Sequence, residues 1–229
     1  MRAVLFDFYG TLAEKHASTP SWESIAAELG YELAPDALRQ FWDIDGQPHE
    51  EHSQSREHYV AWQHARLRTM LEASGVPAPD DDVLFARILA SYSSTARLTA
   101  YDDAVPVLTE LRSRGAALAI CSNWDWDLRE AIAAAGLTGL VDVVVSSAWV
   151  GVRKPHPHIY ERTLTELGVD GTDAVFVGDT WSCDVEGPRR EGMRPVYIRR
   201  PHFGVDFTAP PDGAASVPDL RVLLELVQP

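Results

Sequence analysis

Acidic, hydroxyl, amide and ammonium side chains follow the apolar runs of this sequence. Asp7 directly follows the first run, Ser122 and Asn123 follow the second, and Asp179 comes just after the fourth. Lys154 lies in the segment after the third run. If the runs are strands of one parallel sheet, their carboxyl ends meet at the edge where such sheets bind ligands. The spacing therefore predicts one reaction centre containing two acids, a hydroxyl and an ammonium group.

The apolar runs have the length and composition of buried parallel strands. They cover residues 3–6, 116–121, 141–145, 174–177 and 195–198. Helical patterns with short connections separate them at residues 102–114, 127–135, 157–167 and 183–191. Strands that alternate with helices in this way favour an α/β fold, a doubly wound parallel sheet with helices on both faces.

A long insertion interrupts this alternation after the first strand. It has helical patterns at 22–29, 35–43, 56–74 and 81–91, no convincing strand, and a polar segment at 46–55 that is typical of a solvated loop. We therefore predict a Rossmann-like core of residues 1–13 and 100–229 and an inserted helical domain of residues 14–99. A closing helix is expected at 220–227.

The bulk composition limits the partners of the chain. Of its 229 residues, 45% are hydrophobic and 24% charged, which is typical of a globular protein. Its formal charge of −14 repels nucleic acids and anionic membranes, so we expect a small-molecule substrate, no nucleic acid and no membrane partner. The two distant cysteines, Cys121 and Cys183, and an N-terminus unlike a signal peptide favour the cytoplasm. A monomer and a homodimer both stay open.

Four short motifs stand at the predicted strand ends. They are DFYGTL at 7–12, SNW at 122–124, RKPHPHIY at 153–160 and GDTWSCD at 178–184. With these motifs in this order, the chain resembles the haloacid dehalogenase superfamily over nearly its whole length. The insertion resembles the helical C1-type cap of one branch of that superfamily. The resemblance implies a hydrolase whose cap closes over the active site.

The resemblance also implies roles for the motif residues. Asp7 is expected to be the nucleophile that forms a covalent aspartyl intermediate, while Lys154 masks negative charge on Asp7 and on the substrate. The implied catalytic set is Asp7, Tyr9, Ser122 and Lys154. The implied substrate-binding set is Thr11, Ser122, Asn123, Trp124 and Lys154. Ser122 and Asn123 also suit a turn that begins a helix. Four tryptophans suit either an apolar substrate wall or ordinary packing: Trp124, Trp126, Trp149 and Trp181.

A metal ion is expected beside Asp7. Asp179 and Asp184 would bring further carboxylates into the same crevice, where repulsion raises their pKa values unless a cation neutralises them. Mg²⁺ prefers oxygen ligands and needs only one or two direct carboxylates. The resemblance implies Asp7, the main-chain carbonyl of Tyr9 and Asp179 as direct ligands, with Asp184 bound directly or through water. Asp184 also suits the first turn of a helix, where an acid interacts with the helix dipole.

Tyr9 separates the activities that the resemblance allows. Phosphatases of the superfamily usually carry an aspartate there as general acid and base, whereas a phenol with a reference pKa of about 10 is a weak base at neutral pH. The DFYGT form resembles metal-independent 2-haloacid dehalogenases, for which Arg39 would be a candidate substrate ligand, although it also suits a solvated helix position. The GDTWSCD motif instead keeps the metal-site acids. We therefore expect a slow Mg²⁺-dependent phosphatase acting on a small phosphorylated metabolite. A dehalogenase and a catalytically weak binding or regulatory protein are the alternatives.

Overall fold

The parallel sheet predicted from the apolar runs is present. The computed structural model describes residues 2–15, 20–44, 46–92, 98–200 and 216–226. The described residues form the strands β1 (Ala3–Phe6), β2 (Ala13–Lys15), β3 (Leu98–Ala100), β4 (Ala117–Ser122), β5 (Val143–Ser146), β6 (Ala174–Gly178), β7 (Arg194–Ile198) and β8 (Ser216–Val217). Six of these strands form one sheet in the order β5-β4-β1-β6-β7-β8, and all of its pairings are parallel.

The central strand β1 explains why a continuous apolar run marks this sheet. It pairs with β4 on one side and with β6 on the other. Val4 and Phe6 belong to the hydrophobic cluster on one face of the sheet, and Ala3 and Leu5 to the cluster on the other face. All four side chains are fully buried, so both faces must be covered. The predicted α/β fold, a doubly wound parallel sheet, is confirmed.

The helices follow the predicted spans closely, with exceptions at residues 183–191 and at the end of the chain. They are α1 (Trp22–Glu28), α2 (Pro35–Trp42), α3 (Arg56–Ala73), α4 (Ala78–Tyr92), α5 (Ala104–Ser113), α6 (Leu128–Ala134), α7 (Ser147–Val150), α8 (Pro157–Leu167), α9 (Gly187–Arg190) and α10 (Leu223–Leu226). The single helix predicted at 183–191 is instead a π-helix, Trp181–Glu186, followed by α9. Pro188 has no N–H to donate to residue 184, so one regular α-helix cannot continue through it. Within the described part of the chain, no helix is long and apolar enough to cross a bilayer.

The end of the chain adds an edge strand that the sequence did not predict. β8 pairs with β7, but a strand of two residues is too short for a periodic signal. In place of one helix at 220–227, a 3₁₀ turn, Leu220–Val222, leads into α10, and residue 227 lies outside the described residues. Arg200 after β7 donates two hydrogen bonds to the carboxylate of Asp103, which also accepts the backbone N–H of Leu220.

The insertion packs around a hydrophobic cluster of its own. The cluster lies between α1, α2, α3 and α4 and includes Trp22, Phe41, Leu71 and Ile88. The expectation that residues 14–99 hold no strand was wrong at both ends, since β2 and β3 pair as an antiparallel ribbon where the chain enters and leaves the insertion. Strands of three residues give no recognisable alternation. The domain boundaries at 13/14 and 99/100 fall within this ribbon and stay a prediction.

Most of the segment 46–55 is exposed or half-buried, as expected of a solvated loop, but His49 anchors it to the core. It contains a 3₁₀ turn, Glu50–His52, and His49 in it is only 5% exposed. The His49 backbone N–H donates to Gly151 O, and the ring stacks on Trp62 at 5.0 Å between centroids. Gly151 has φ +86° and permits the approach, because a Cβ there would lie 2.6 Å from the Glu50 Cα.

Candidate active site

Asp7 lies at the carboxyl end of β1, where the neighbouring strands bring polar groups to it. Its backbone N–H donates to Val177 O of β6 at 2.9 Å. The Ser122 hydroxyl, at the end of β4, donates to Asp7 Oδ1 at 2.8 Å, and Lys154 Nζ lies 2.9 Å from the same oxygen. The Asp7 side chain is 10% exposed. Two strand ends and one loop thus fix a nearly buried carboxylate at the edge predicted for ligand binding.

Lys154 is the centre of a buried ion cluster. Its Nζ lies 2.6 Å from Asp184 Oδ1 as well as next to Asp7, and its side chain is only 2% exposed. Asn123 holds the main chain of Lys154, since Asn123 Oδ1 accepts the Lys154 N–H at 2.6 Å and Asn123 Nδ2 donates to Lys154 O at 3.0 Å. These contacts assign Asn123 to the positioning of Lys154, which the sequence had not suggested. Its contact with a substrate stays a prediction.

Two glycines let Asp179 and Asp184 approach Asp7. Gly10 has φ +80°, and a Cβ on it would lie 2.2 Å from Asp179 Oδ2. A Cβ on Gly178 would lie 2.3 Å from the Asp184 Cγ. Ligand atoms of Asp7, Asp179 and Asp184 consequently lie within 4.8 Å of one another. Gly10 belongs to the DFYGTL motif and Gly178 to the GDTWSCD motif, and each makes room for an acid of the GDTWSCD motif.

Asp184 has the helix-terminus role considered for it from the sequence, and it also lies in the acid cluster. It lies in the first turn of the π-helix Trp181–Glu186, where its Oδ2 accepts the backbone N–H of Thr180 at 2.8 Å. Its Oδ1 faces Lys154, and the residue is fully buried. Asp184 therefore anchors the turn after β6 and also belongs to the acid cluster. Its direct contact with a metal stays a prediction.

The acids of the cluster outnumber the cation. Burial raises the pKa of Asp179 to about 8, and Asp7 and Asp184 add to the shift. Burial also raises the pKa of Asp184 to about 6, although Lys154 opposes this. Burial alone would lower the pKa of Lys154, but the carboxylates of Asp184 and Asp7 outweigh it and hold the pKa well above its usual value. One ammonium does not neutralise three carboxylates, so the oxygen-rich cluster fits a divalent cation such as Mg²⁺.

Tyr9 lies beside this cluster and lines the same pocket. Burial raises its pKa, and the nearby carboxylates of Glu14 and Asp179 raise it further. The phenol is therefore a weaker acid than an exposed tyrosine, and even less of it is in the basic phenolate form at neutral pH. Thr11, in contrast, is fully buried and does not line the pocket, so none of its described contacts supports the predicted binding of substrate by its side chain.

A pocket of about 320 Å³ opens over Asp7. Its lining includes five residues that the sequence did not single out as substrate contacts: Lys15, Trp42, Asp125, Asp127 and Arg153. Asp125 and Asp127 follow the SNW motif directly, so their position in the sequence could have indicated that they line the pocket. Trp42 lies in the insertion, where no motif indicated it. Arg39, on the same helix as Trp42, does not line the pocket; it pairs with Asp36 and its side chain is 71% exposed.

The four tryptophans of the motif loops divide between the two interpretations. Trp124 lines the pocket, as an aromatic wall requires. Trp126, Trp149 and Trp181 do not line it. Trp149 Nε1 donates to Trp126 O at 3.0 Å, and Trp181 packs edge-on against Tyr197. Those three rings support the structure around the loops.

Known proteins resemble this chain in sequence and in structure. A phosphoserine phosphatase of Thermus thermophilus is 38% identical over 154 residues, covering 66% of this chain and only 57% of the relative. The chain thus spans little more than half the length of that enzyme. The (S)-2-haloacid dehalogenase 4A of Burkholderia cepacia is 31% identical and the match covers 87% of this chain and 84% of the relative. A solved HAD family hydrolase of Deinococcus radiodurans, described with bound phosphate and sodium, is 25% identical with a TM-score of 0.66, covering 97% of this chain and 93% of that chain.

The relatives include both phosphatases and dehalogenases, so they do not by themselves choose between the two reactions. The solved hydrolase agrees with the fold of this chain. The model of the haloacid dehalogenase-like hydrolases matches residues 1–192, which contain all four motifs. The chain therefore belongs to the haloacid dehalogenase-like hydrolase family.

Proposed function

We propose that the chain is a Mg²⁺-dependent phosphatase that acts on a small phosphorylated metabolite. The observation that carries the proposal is the excess of acid beside Asp7, because Asp7, Asp179 and Asp184 share one buried ammonium group. A metal-independent dehalogenase does not need these extra carboxylates. A phosphatase does, because they bind the metal ion that neutralises the charge of the phosphoryl group. The phosphatases among the relatives agree with this choice.

The residues of the chain suit a two-step reaction. In the first step the Asp7 carboxylate attacks phosphorus in line with the leaving oxygen, which gives an aspartyl phosphate and expels the leaving group as an oxyanion. That oxyanion takes up a proton from water to become the free alcohol. Lys154 stabilises negative charge on the transferring group, and Ser122 keeps the carboxylate oriented through its hydrogen bond. Water then attacks the aspartyl phosphate, which releases inorganic phosphate and restores Asp7. Asp7, Asp179, Asp184 and the main-chain carbonyl of Tyr9 would hold Mg²⁺. When bound, the ion would neutralise the charge of these carboxylates.

Tyr9 sets the range of esters that react well. The usual acid at this position protonates the departing alkoxide, and a phenol of raised pKa does this poorly. Esters that release a stabilised anion avoid the need for that proton. We expect slow turnover of unactivated alkyl phosphates and faster turnover of esters with good leaving groups. Equal rates across leaving groups of widely different pKa would contradict this part of the proposal.

The decisive experiment is a panel of phosphate esters and 2-haloalkanoates, assayed with Mg²⁺ and with a chelator. A phosphatase releases phosphate only with Mg²⁺, and Asp7→Asn abolishes multiple turnovers. Asp170→Asn is a matched control, because Asp170 is a carboxylate of the core that lines a pocket remote from Asp7. Halide release that a chelator leaves unchanged would establish the dehalogenase instead.

A dehalogenase stays the second candidate because of one residue. Halide departs without a proton, so Tyr9 would suit displacement of halide from carbon by Asp7. Arg39 is exposed and outside the pocket. The pocket cations that a haloacid carboxylate would meet are Lys15 and Arg153, in addition to Lys154 in the ion cluster. A binding or regulatory protein would instead take up a phosphate mimic stoichiometrically without turnover. The cap role of the insertion, the cytoplasmic location and a monomeric or homodimeric state remain predictions.

A further inference from the structure

Three aromatic residues line the pocket: Tyr9, Trp42 and Trp124. Trp42 is the last residue of α2 and is 48% exposed. Among the described residues, the other large hydrophobic side chains with comparable exposure are Val83 and Val105, and neither lines the pocket. Trp42 is thus an exposed apolar surface that the insertion presents to the site of the reaction.

The ring of Trp42 is fixed by its neighbours in the insertion. It lies 4.9 Å from the Trp22 ring at an interplanar angle of 32°, and 4.9 Å from the Phe41 ring at 90°. Both partners belong to the buried cluster of the insertion. A large ring that is already held in place loses little conformational freedom when a ligand packs on it. The exposed part of Trp42 is therefore prepared for contact with a flat apolar group.

Trp124 is held just as firmly from the core. Its Nε1 donates to Asp127 Oδ1 at 3.1 Å, and the Phe8 ring packs edge-on at 5.2 Å. The Tyr9 ring lies 6.3 Å away, so the aromatic surface continues from Trp124 to the residue that replaces the usual acid. The apolar lining thus extends from Trp124 to Tyr9, two residues after the nucleophile Asp7.

We propose that Trp42 and Trp124 make the pocket selective for phosphate esters of planar conjugated hydroxyl groups, such as phenols. This inference rests on the proposed phosphatase function and names its substrate class. The two rings that line the pocket lead to it, because aromatic walls favour a flat ring through stacking and burial of apolar area.

The test compares two phosphoryl compounds with stabilised leaving groups: phenyl phosphate, an ester with a ring, and acetyl phosphate, an acyl phosphate without one. Trp42→Ala should lower kcat/KM for phenyl phosphate about three- to tenfold, mainly through KM, and leave acetyl phosphate nearly unchanged. Trp42→Phe keeps a ring and should restore most of the loss. Val83→Ala is the matched control, because it shortens another exposed apolar side chain of the insertion outside the pocket. An equal loss of kcat/KM for both compounds, or no loss for phenyl phosphate, would overturn the inference.

A measurement on the unaltered protein keeps the inference testable if Trp42→Ala does not fold. Phenylphosphonate should inhibit acetyl phosphate hydrolysis at least about threefold more tightly than methylphosphonate. Equal inhibition by the two phosphonates would overturn the inference while the phosphatase function stands. Absence of Mg²⁺-dependent hydrolysis of every ester would instead reject the phosphatase function itself.

Discussion

The core contains two buried ion clusters that differ in charge balance. Arg200 and Asp103 form a pair of one cation and one acid, with side chains 5% and 2% exposed. Lys154 instead faces Asp7 and Asp184, with Asp179 close by. Buried charge is costly unless it is compensated, so the balanced pair needs no further partner. The difference teaches that an uncompensated acid excess, rather than burial of ions as such, marks the reaction centre.

Removal of the central cation should have the largest effect on activity. Lys154→Met leaves the acids at Asp7 and Asp184 without their ammonium partner and removes the group that stabilises charge on the transferring phosphoryl. We expect kcat to fall by about a thousandfold or more, as for the loss of a main electrostatic contact in other enzymes. Steady-state phosphate release from folded protein, verified by circular dichroism, measures this. A loss below tenfold would remove Lys154 from the reaction.

The balanced pair should respond in stability rather than in activity. Arg200→Met leaves Asp103 buried with only the Leu220 N–H and should lower the free energy of unfolding by about 3–5 kcal/mol. Urea denaturation followed by fluorescence measures the loss. The kcat of the folded fraction should stay within about threefold of the unaltered protein, because Arg200 does not line the pocket. A fall in kcat as large as that for Lys154→Met would abolish the distinction between the two clusters.

The sequence predicted the sheet well because each core strand is buried on both faces. The runs at residues 3–6 and 174–177 differ from β1 and β6 by at most one residue at either end. The short ribbon strands β2 and β3 could not be found, since three residues carry no periodicity. The π-helix was also missed, because its signal is one proline within an otherwise helical pattern.

The sequence could predict a residue of the site where its position at the end of a strand places it there. Asp7, Ser122 and Asp179 stand at or just after strand ends, so the parallel sheet brings them together. Trp42 reaches the pocket from α2, and its placement depends on how the insertion packs on the core. Asn123 is a second example, because its two hydrogen bonds to the Lys154 main chain join segments 31 residues apart. Tertiary contacts of this kind leave no local pattern in the sequence.

Removal of one acid from the unbalanced cluster should raise the free energy of unfolding, whereas the loss of Arg200 lowers it. Without metal, Asp179→Asn should stabilise the fold by roughly 1–2 kcal/mol near pH 8, because it relieves repulsion from Asp7 and Asp184. Folding raises the pKa of Asp179 to about 8, so the folded state holds this proton longer than the unfolded chain. The stability of the unaltered protein therefore falls as pH rises from about 4 to 8, and the advantage of the variant grows over that range.

The same variant tests the metal. Thermal unfolding in a chelator and then in Mg²⁺ should show a rise of Tm with Mg²⁺ in the unaltered protein, since a ligand that binds only the folded state stabilises it. In Asp179→Asn the rise should be much smaller. Asp173→Asn is a suitable control, because Asp173 is an acid of the same core in the turn before β6. An equal response of both variants to Mg²⁺ would place the metal elsewhere.

The smallest effect is expected at the contact between the insertion and the core. The Tyr59 hydroxyl and Gln63 Nε2 both donate to Asp125 Oδ1 at 2.8 Å, and Asp125 lines the pocket. Here an acid near the site is held by neutral donors, a third arrangement beside the balanced and unbalanced ion clusters. Tyr59→Phe removes the hydrogen bond that the hydroxyl donates to Asp125 and the one that it accepts from Gln63. Gln63 keeps its bond to Asp125 and the ring stays buried, so unfolding should become easier by only about 1 kcal/mol.

The kinetic signature of Tyr59→Phe separates positioning from packing. If the hydroxyl holds the insertion against the loop that bears Asp125, KM should rise about two- to fivefold while kcat changes less. Loss of the hydroxyl weakens the contact between the insertion and that loop rather than the chemistry at Asp7. Tyr31→Phe is the matched control, since Tyr31 packs on the insertion's own hydrophobic cluster. A similar change in KM for both variants would mean that any destabilisation of the insertion raises KM. The contact with Asp125 would then not position the insertion.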